Sequence, residues 1–176
     1  MYGTLVPCGP GLRPLGWPES PMVRRIALGV LMPNTFIASH MTAAWVWGAA
    51  AEPGAPLRSI QLPSKRSANY QPRSTETLHI AHSRISRRDI SFMDDLAVTT
   101  PLRTALDILR DPHTFNEAQM AACAELFRLY QGLRARVFEN IHNARHPQRP
   151  LSRDRLAQLA DFDGKQPPHR GRKVLG

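Results

Sequence analysis

Nine of the nineteen residues from Gly3 to Pro21 are glycine or proline: Gly3, Pro7, Gly9, Pro10, Gly11, Pro14, Gly16, Pro18 and Pro21. Proline removes a backbone donor and glycine raises the entropic cost of regular structure, so this stretch cannot be helical. What it can hold is a hairpin, with short strands near Thr4–Val6 and Arg13–Leu15 joined by the Cys-Gly-Pro-Gly turn. A two-stranded hairpin is marginal alone, so it must lie on a larger body. The first unit, 1–21, is therefore a hairpin that depends on its neighbour.

Residues 22–112 read as an α+β core. Met22–Met32 has helical spacing with Arg24 and Arg25 as a charged patch, and Phe36-Ile37-Ala38 is a brief buried strand. Ser39 can cap a helix through Trp47 that stops at Gly48. Trp45 and Trp47, two apart, face different directions on that helix; one packs on strands and the other reaches an interface. Strand-like segments follow at Leu57–Leu62, Thr77–Ala81, Asp89–Phe92 and Leu96–Val98, with a polar loop at 63–74 and a short turn at Met93-Asp94-Asp95. An antiparallel or mixed small sheet with helices on one face is the expected architecture.

The core closes with a helix whose start is well marked: Thr100 caps, Pro101 suits the first position, and Leu102, Ala105, Leu106 and Leu109 form one apolar stripe. Arg103 is out of place there. The helix dipole makes the first turn positive, and Arg before Asp107 is the weaker order for an i,i+4 pair. Residues 113–163 read as a helical extension packed on the core. A Thr114–Glu117 capping box opens a long helix to Tyr130, Leu133–Ala144 continues with Arg134, Arg136 and Arg145 facing solvent, and Ser152 caps a short last helix. Residues 164–176 lack periodicity and read as a disordered basic tail.

The net charge is +9, of which +7 falls in residues 128–176. That asymmetry makes nucleic acid a reasonable partner, with Arg134, Arg136, Arg145 and Arg149 on phosphates; a solvated helix face and tail is the equal alternative. No apolar run reaches membrane-spanning length, and the N-terminus lacks the pattern of a secretory signal, so a cytoplasmic location is the expectation.

Chemistry is poorly represented. Cys8 and Cys123 read as a loop thiol and a buried helix residue, and the seven histidines include no metal-binding spacing. His79 and His82 would lie on opposite faces of a strand. Asp161-Phe162-Asp163-Gly164 imitates a calcium loop, but Lys165 and Arg172 stand where oxygen ligands belong. There is neither a phosphate-binding loop nor a nucleophile elbow, and Asp94-Asp95 suits a polar turn better than a two-metal nuclease. No enzyme, metal or cofactor is expected.

Three stretches in order, SHMTAAWVWGA (39–49), the strand series ending HSRISRRDI (82–90) and LAVTTPLRTALDIL (96–109), resemble the antitoxin region of AbiEi-type proteins of type IV toxin-antitoxin systems. The resemblance covers roughly residues 3–130. It implies a non-catalytic antitoxin whose partners are a nucleotidyltransferase-like toxin and, through transcriptional regulation, DNA. Family members commonly begin with a promoter-binding winged helix. GTLVPCGPGLRPLG resembles only its β-wing, without the recognition helices. The C-terminal RLAQLADFDGKQPPHRGRKVLG resembles the linker to a very-short-patch-repair-like nuclease, which makes an inactive remnant of a longer protein a third reading.

The resemblance implies an Arg and an Asp at positions 103 and 107 without by itself explaining Arg103, for which two roles are open. In one it leaves its helix to bond strand-end carbonyls or Asp89, joining sheet to helix. In the other it is an exposed anion-binding group beside Arg87 and Arg88. The residues expected to meet a partner are Arg87, Arg88 and Trp47, with Arg134, Arg136, Arg145 and Arg149 for nucleic acid; Arg103, Asp107 and Asp89 are the architectural set.

Overall fold

A computed structural model describes residues 4–62, 75–81, 83–143 and 146–165. The loop 63–74, His82, Arg145 and residues 166–176 of the expected tail lie outside the described residues. The fold is α+β.

Strands β1 (Leu5–Cys8) and β2 (Gly11–Pro14) form an antiparallel hairpin in which Cys8 pairs with Gly11, so the turn is Gly9-Pro10. Its inner face is tightly seated. A Cβ on Gly9, whose φ is +54°, would lie 2.6 Å from the Trp45 ring, and one on Gly11 would lie 2.8 Å from the Ala27 carbonyl. Cys8 is buried at the end of β1, not in a loop.

Helix α1 (Pro21–Ala27) is capped by the Ser20 side chain and runs into a 3-10 turn, Leu28–Val30, so the expected Met22–Met32 helix tightens at its end. Arg25 is not part of a charged patch. It is fully buried, its Nε donating to the Ala97 carbonyl at 2.9 Å and its Nη2 to the Phe36 carbonyl at 3.1 Å. Burial lowers its pKa to about 10, which leaves it charged at neutral pH.

The second sheet has the order β5-β4-β3-β7-β6, built from β3 (Phe36–Ala38), β4 (Leu57–Gln61), β5 (Leu78–Ala81), β6 (Ile90–Met93) and β7 (Leu96–Thr99). It is mixed: β3 pairs antiparallel with β4 and β6 with β7, whereas β3–β7 and β4–β5 are parallel. A short β3 at the centre is buried throughout, as a strand covered on both faces must be. One face, with Phe36, Ala38, Ile80 and Val98, packs under the hairpin, α1 and Trp45; the other gathers Ile37, Ile60, Leu62 and Ala97 with Ile85 and Ile90.

Helix α2 (His40–Val46) ends before Gly48 at φ +83°, and Ser39 makes no capping bond; its Oγ lies 3.0 Å from the His40 Nδ1 instead. Helix α3 (Pro101–Arg110) is capped by Thr100, whose Oγ accepts from the Arg103 amide at 3.3 Å. The expected stripe of Leu102, Ala105, Leu106 and Leu109 faces the core, and burial extends beyond it to Thr104, Asp107 and Ile108, so α3 is enclosed.

A second core forms where α3 meets α4 (Glu117–Leu129), α5 (Leu133–Asn143) and α6 (Arg149–Lys165), with Leu106, Ile108, Leu109, Leu126, Val137, Ile141 and Leu159 inside. Two expected caps are corrected. The box that opens α4 is Asn116–Gln119; Thr114 takes part by accepting from the Gln119 Nε2 at 2.8 Å. Ser152 lies buried inside α6, bonded to the Gln148 carbonyl, because α6 begins at Arg149 and continues through Lys165, past both expected ends.

Candidate functional site

The enclosure of α3 creates an electrostatic requirement. Asp107 points from this helix into the interior with 8% of its side chain exposed, where an unpaired carboxylate is costly. Arg103, one turn earlier, supplies the partner: its Nε donates to Asp107 Oδ1 at 2.7 Å. The rest of the guanidinium reaches outward, Nη2 donating to Ser83 Oγ at 2.7 Å and Nη1 to the Arg84 carbonyl at 3.3 Å and Asp89 Oδ2 at 3.4 Å. Arg103 therefore spans helix and sheet margin while keeping its own-helix bond, and it does not leave the helix. Asp89 Oδ2 also accepts from the Ser86 amide, and the Asp89 carbonyl accepts from the Thr100 amide, so the 3-10 turn Arg87–Asp89 is tied to the start of α3.

Below this hub lies a second charged row. Arg58 Nη2 pairs with Asp111 Oδ2 at 3.2 Å, and Arg155 from α6 donates to the carbonyls of Ile108, Leu109 and Asp111, which caps the end of α3. His40 sits nearby in the left-handed region, at φ +51°. Burial lowers its imidazole pKa; the fields of Asp107 and Asp111 act in the opposite sense without overcoming it.

Above the hub, the start of α3 forms one wall of a cleft of about 840 Å³. Trp47 and Tyr130 line it, edge to face with centroids 5.9 Å apart. Trp47 is held by its Nε1, which donates to the Thr99 carbonyl at 2.7 Å, whereas Trp45 is buried under the hairpin; the two tryptophans do diverge. Burial raises the Tyr130 phenol above its ordinary value, so it remains protonated at neutral pH. Leu102, Leu106, Leu129 and Leu133 complete the apolar lining, and Arg88, Arg136, Gln131 and Asn140 supply the polar groups.

The sequence candidates separate here. Arg88 and Arg136 line the cleft from opposite parts of the chain, both exposed, and neither guanidinium has a hydrogen-bond or ion-pair partner among the described residues. Arg87 is turned to Phe92, its guanidinium 5.5 Å from the ring centroid, and does not line the cleft. Arg134 lines a different hollow with Phe138, His142 and Arg153. Arg149 is half-buried at the start of α6, so Arg134, Arg136 and Arg149, the described members of the expected nucleic-acid set, do not line one recess.

The carboxylate in the cleft, Asp89, is engaged by Arg103 and the Ser86 amide, which leaves it poorly placed as a general base. Among the described residues no group of three or more His, Cys, Asp or Glu could hold a metal ion. What the arrangement can do is bind: an aromatic floor and apolar walls offer contact area, and two unpaired guanidiniums beside the N-terminal end of α3 offer positive potential. Comparison with family models, curated proteins and solved structures finds no match to this chain.

Proposed function

We propose that the chain is a non-catalytic, antitoxin-like protein of a type IV toxin-antitoxin system that acts by binding a partner at the Trp47–Tyr130 cleft. The partner is a nucleotidyltransferase-like toxin. One observation carries the reading: all three stretches that resemble AbiEi-type antitoxins contribute to this one cleft. Residues 39–49 supply Trp47, residues 82–90 supply Arg88 and Asp89, and residues 96–109 supply Thr100 to Leu102 and Leu106. Convergence of separated stretches on one exposed recess suits a binding face better than a folding requirement alone. The two free guanidiniums suit an acidic surface on the toxin.

Co-expression with a nucleotidyltransferase encoded beside its gene tests this. The wild-type chain restores growth, and a chain that fails to protect against such a toxin overturns the reading.

A second reading is favoured by the same pair of cations with an adjacent aromatic: a nucleic-acid-binding module, with phosphates on Arg88 and Arg136 and a base against Trp47 or Tyr130. Its affinity falls steeply between low and moderate salt; salt-independent binding rejects it.

A further inference from the structure

Helix α5 buries Leu133, Val137 and Ile141, and one position beyond each of them stand Arg134, Phe138 and His142, a second stripe with the same helical spacing. This second stripe lines a groove of about 620 Å³ whose other wall is α6, through Arg153, Leu156, Ala157 and Ala160. The volume falls within the ~300–1,000 Å³ of binding pockets. Phe138 stands in the groove 55% exposed, although Val137 beside it is fully buried. Its ring stacks on His142 with centroids 3.8 Å apart, and the His142 Nδ1 lies 2.8 Å from the Phe138 carbonyl. A carbonyl only accepts, so Nδ1 carries the proton and the pair of rings is held in one arrangement before anything binds.

We propose that this groove docks an acidic amphipathic helix of a partner protein, its apolar side chains on Phe138, Leu156 and Ala157 and its carboxylates on Arg134 and Arg153. The surface is separate from the Trp47–Tyr130 cleft and does not rest on the toxin reading. Charge selects the occupant. Arginine lines the groove from both walls and none of the described lining residues is Asp or Glu, so its potential favours an acidic ligand. Residues 166–176 of this chain carry Arg170, Arg172 and Lys173 and no Asp or Glu, which the groove repels, and a second copy packed groove to groove would set arginine against arginine. Nucleic acid fits less well, because two arginines serve few phosphates and Leu156, Ala157 and Ala160 offer a base neither donors nor a flat stacking surface. Backbone chemistry selects a helix. The walls are helices whose interior amides and carbonyls are already bonded, so an extended peptide would leave its own backbone groups unpaired in an apolar recess, whereas a helix satisfies them itself. The small side chains of Ala157 and Ala160 let such a helix approach closely.

Titration of the isotope-labelled full chain with a designed peptide tests the proposal by amide chemical shifts. The peptide has about 16 residues, Leu at i, i+3, i+4 and i+7 and Glu and Ala elsewhere, long enough to be helical on its own. Saturable binding is expected, with a dissociation constant below about 1 mM and shifts centred on residues 134–142 and 153–160 and absent at the Trp47 indole. Ala157→Glu, exposed and compatible with a helix, is expected to weaken binding about tenfold or more while circular dichroism stays as in wild type. Phe138→Gln is expected to weaken it in the same direction. Absence of saturable shifts at about 1 mM peptide overturns the proposal, as do shifts that appear at Trp47 and Tyr130 instead, binding that survives both variants, or equal binding by the same peptide with Lys in place of Glu. A duplex DNA oligonucleotide that shifts the groove residues when the acidic peptide does not assigns the groove to nucleic acid and overturns it equally.

Discussion

Replacing Arg103 by methionine keeps the length of the side chain and removes every one of its polar contacts. Asp107, 8% exposed and with Oδ2 already without a partner, would then have both carboxylate oxygens unpaired inside the protein. Breaking a buried pair from one side costs ~3–5 kcal/mol, chiefly through the stranded charge. Arg103 keeps 15% of its side chain exposed, and solvent reduces that figure to about 2–4 kcal/mol. For a chain of this size the loss corresponds to a melting temperature about 5–15 °C lower.

Urea unfolding of the wild type, Arg103→Met, Asp107→Leu and the double variant measures the quantity directly. The double variant should lose less than Arg103→Met and Asp107→Leu together, by about 1–3 kcal/mol, because no charge is stranded in it. Hydrogen exchange should also accelerate in residues 83–93 of Arg103→Met, where its bonds to Ser83, Arg84 and Asp89 are lost. An Arg103→Met protein within 0.5 kcal/mol of wild type, or strictly additive single losses, would refute the hub.

Two further perturbations probe the surrounding structure. Because burial lowers the His40 pKa, the unfolded chain binds that proton more readily; the contribution is whole above about pH 6.5 and declines as pH falls below it. His40→Asn, a residue suited to φ +51°, should flatten urea midpoints compared between pH 8 and pH 5, leaving the acid dependence of the same sign that His146 contributes. Gly9→Ala puts a methyl 2.6 Å from a buried tryptophan ring at φ +54° and should cost about 2–4 kcal/mol by thermal denaturation; a neutral outcome would mean the hairpin does not rest on Trp45.

The elements legible in the sequence are those specified locally. The hairpin turn, the Thr100-Pro101 helix start and the strand at Phe36 depend on residues within a few positions of each other, and their positions follow from turn chemistry and periodicity. Strand direction does not. Whether β3 runs parallel to β7 depends on where a segment some 60 residues later returns to the sheet, and no pattern within either strand records that. The buried arginines are hidden for the same reason. Arg25 and Arg155 look like surface charges until their carbonyl acceptors, 72 and 47 positions away, are brought against them. A run of buried positions on both sides of Asp107 was the missed signal for an enclosed α3, since Ala105, Leu106, Ile108 and Leu109 cannot share one narrow stripe. The cleft was half legible: Trp47 and Arg88 were singled out, whereas Tyr130 and Asn140 join them only through the packing of α4 and α5.

Charge reversal at the cleft tests the central claim most directly. Arg88→Glu with Arg136→Glu alters two exposed side chains that hold nothing in the fold, so the melting temperature should stay within about 2 °C of wild type. Toxin neutralisation in co-expressing cells should be lost. Full protection by that folded double variant would contradict a binding role for the cleft.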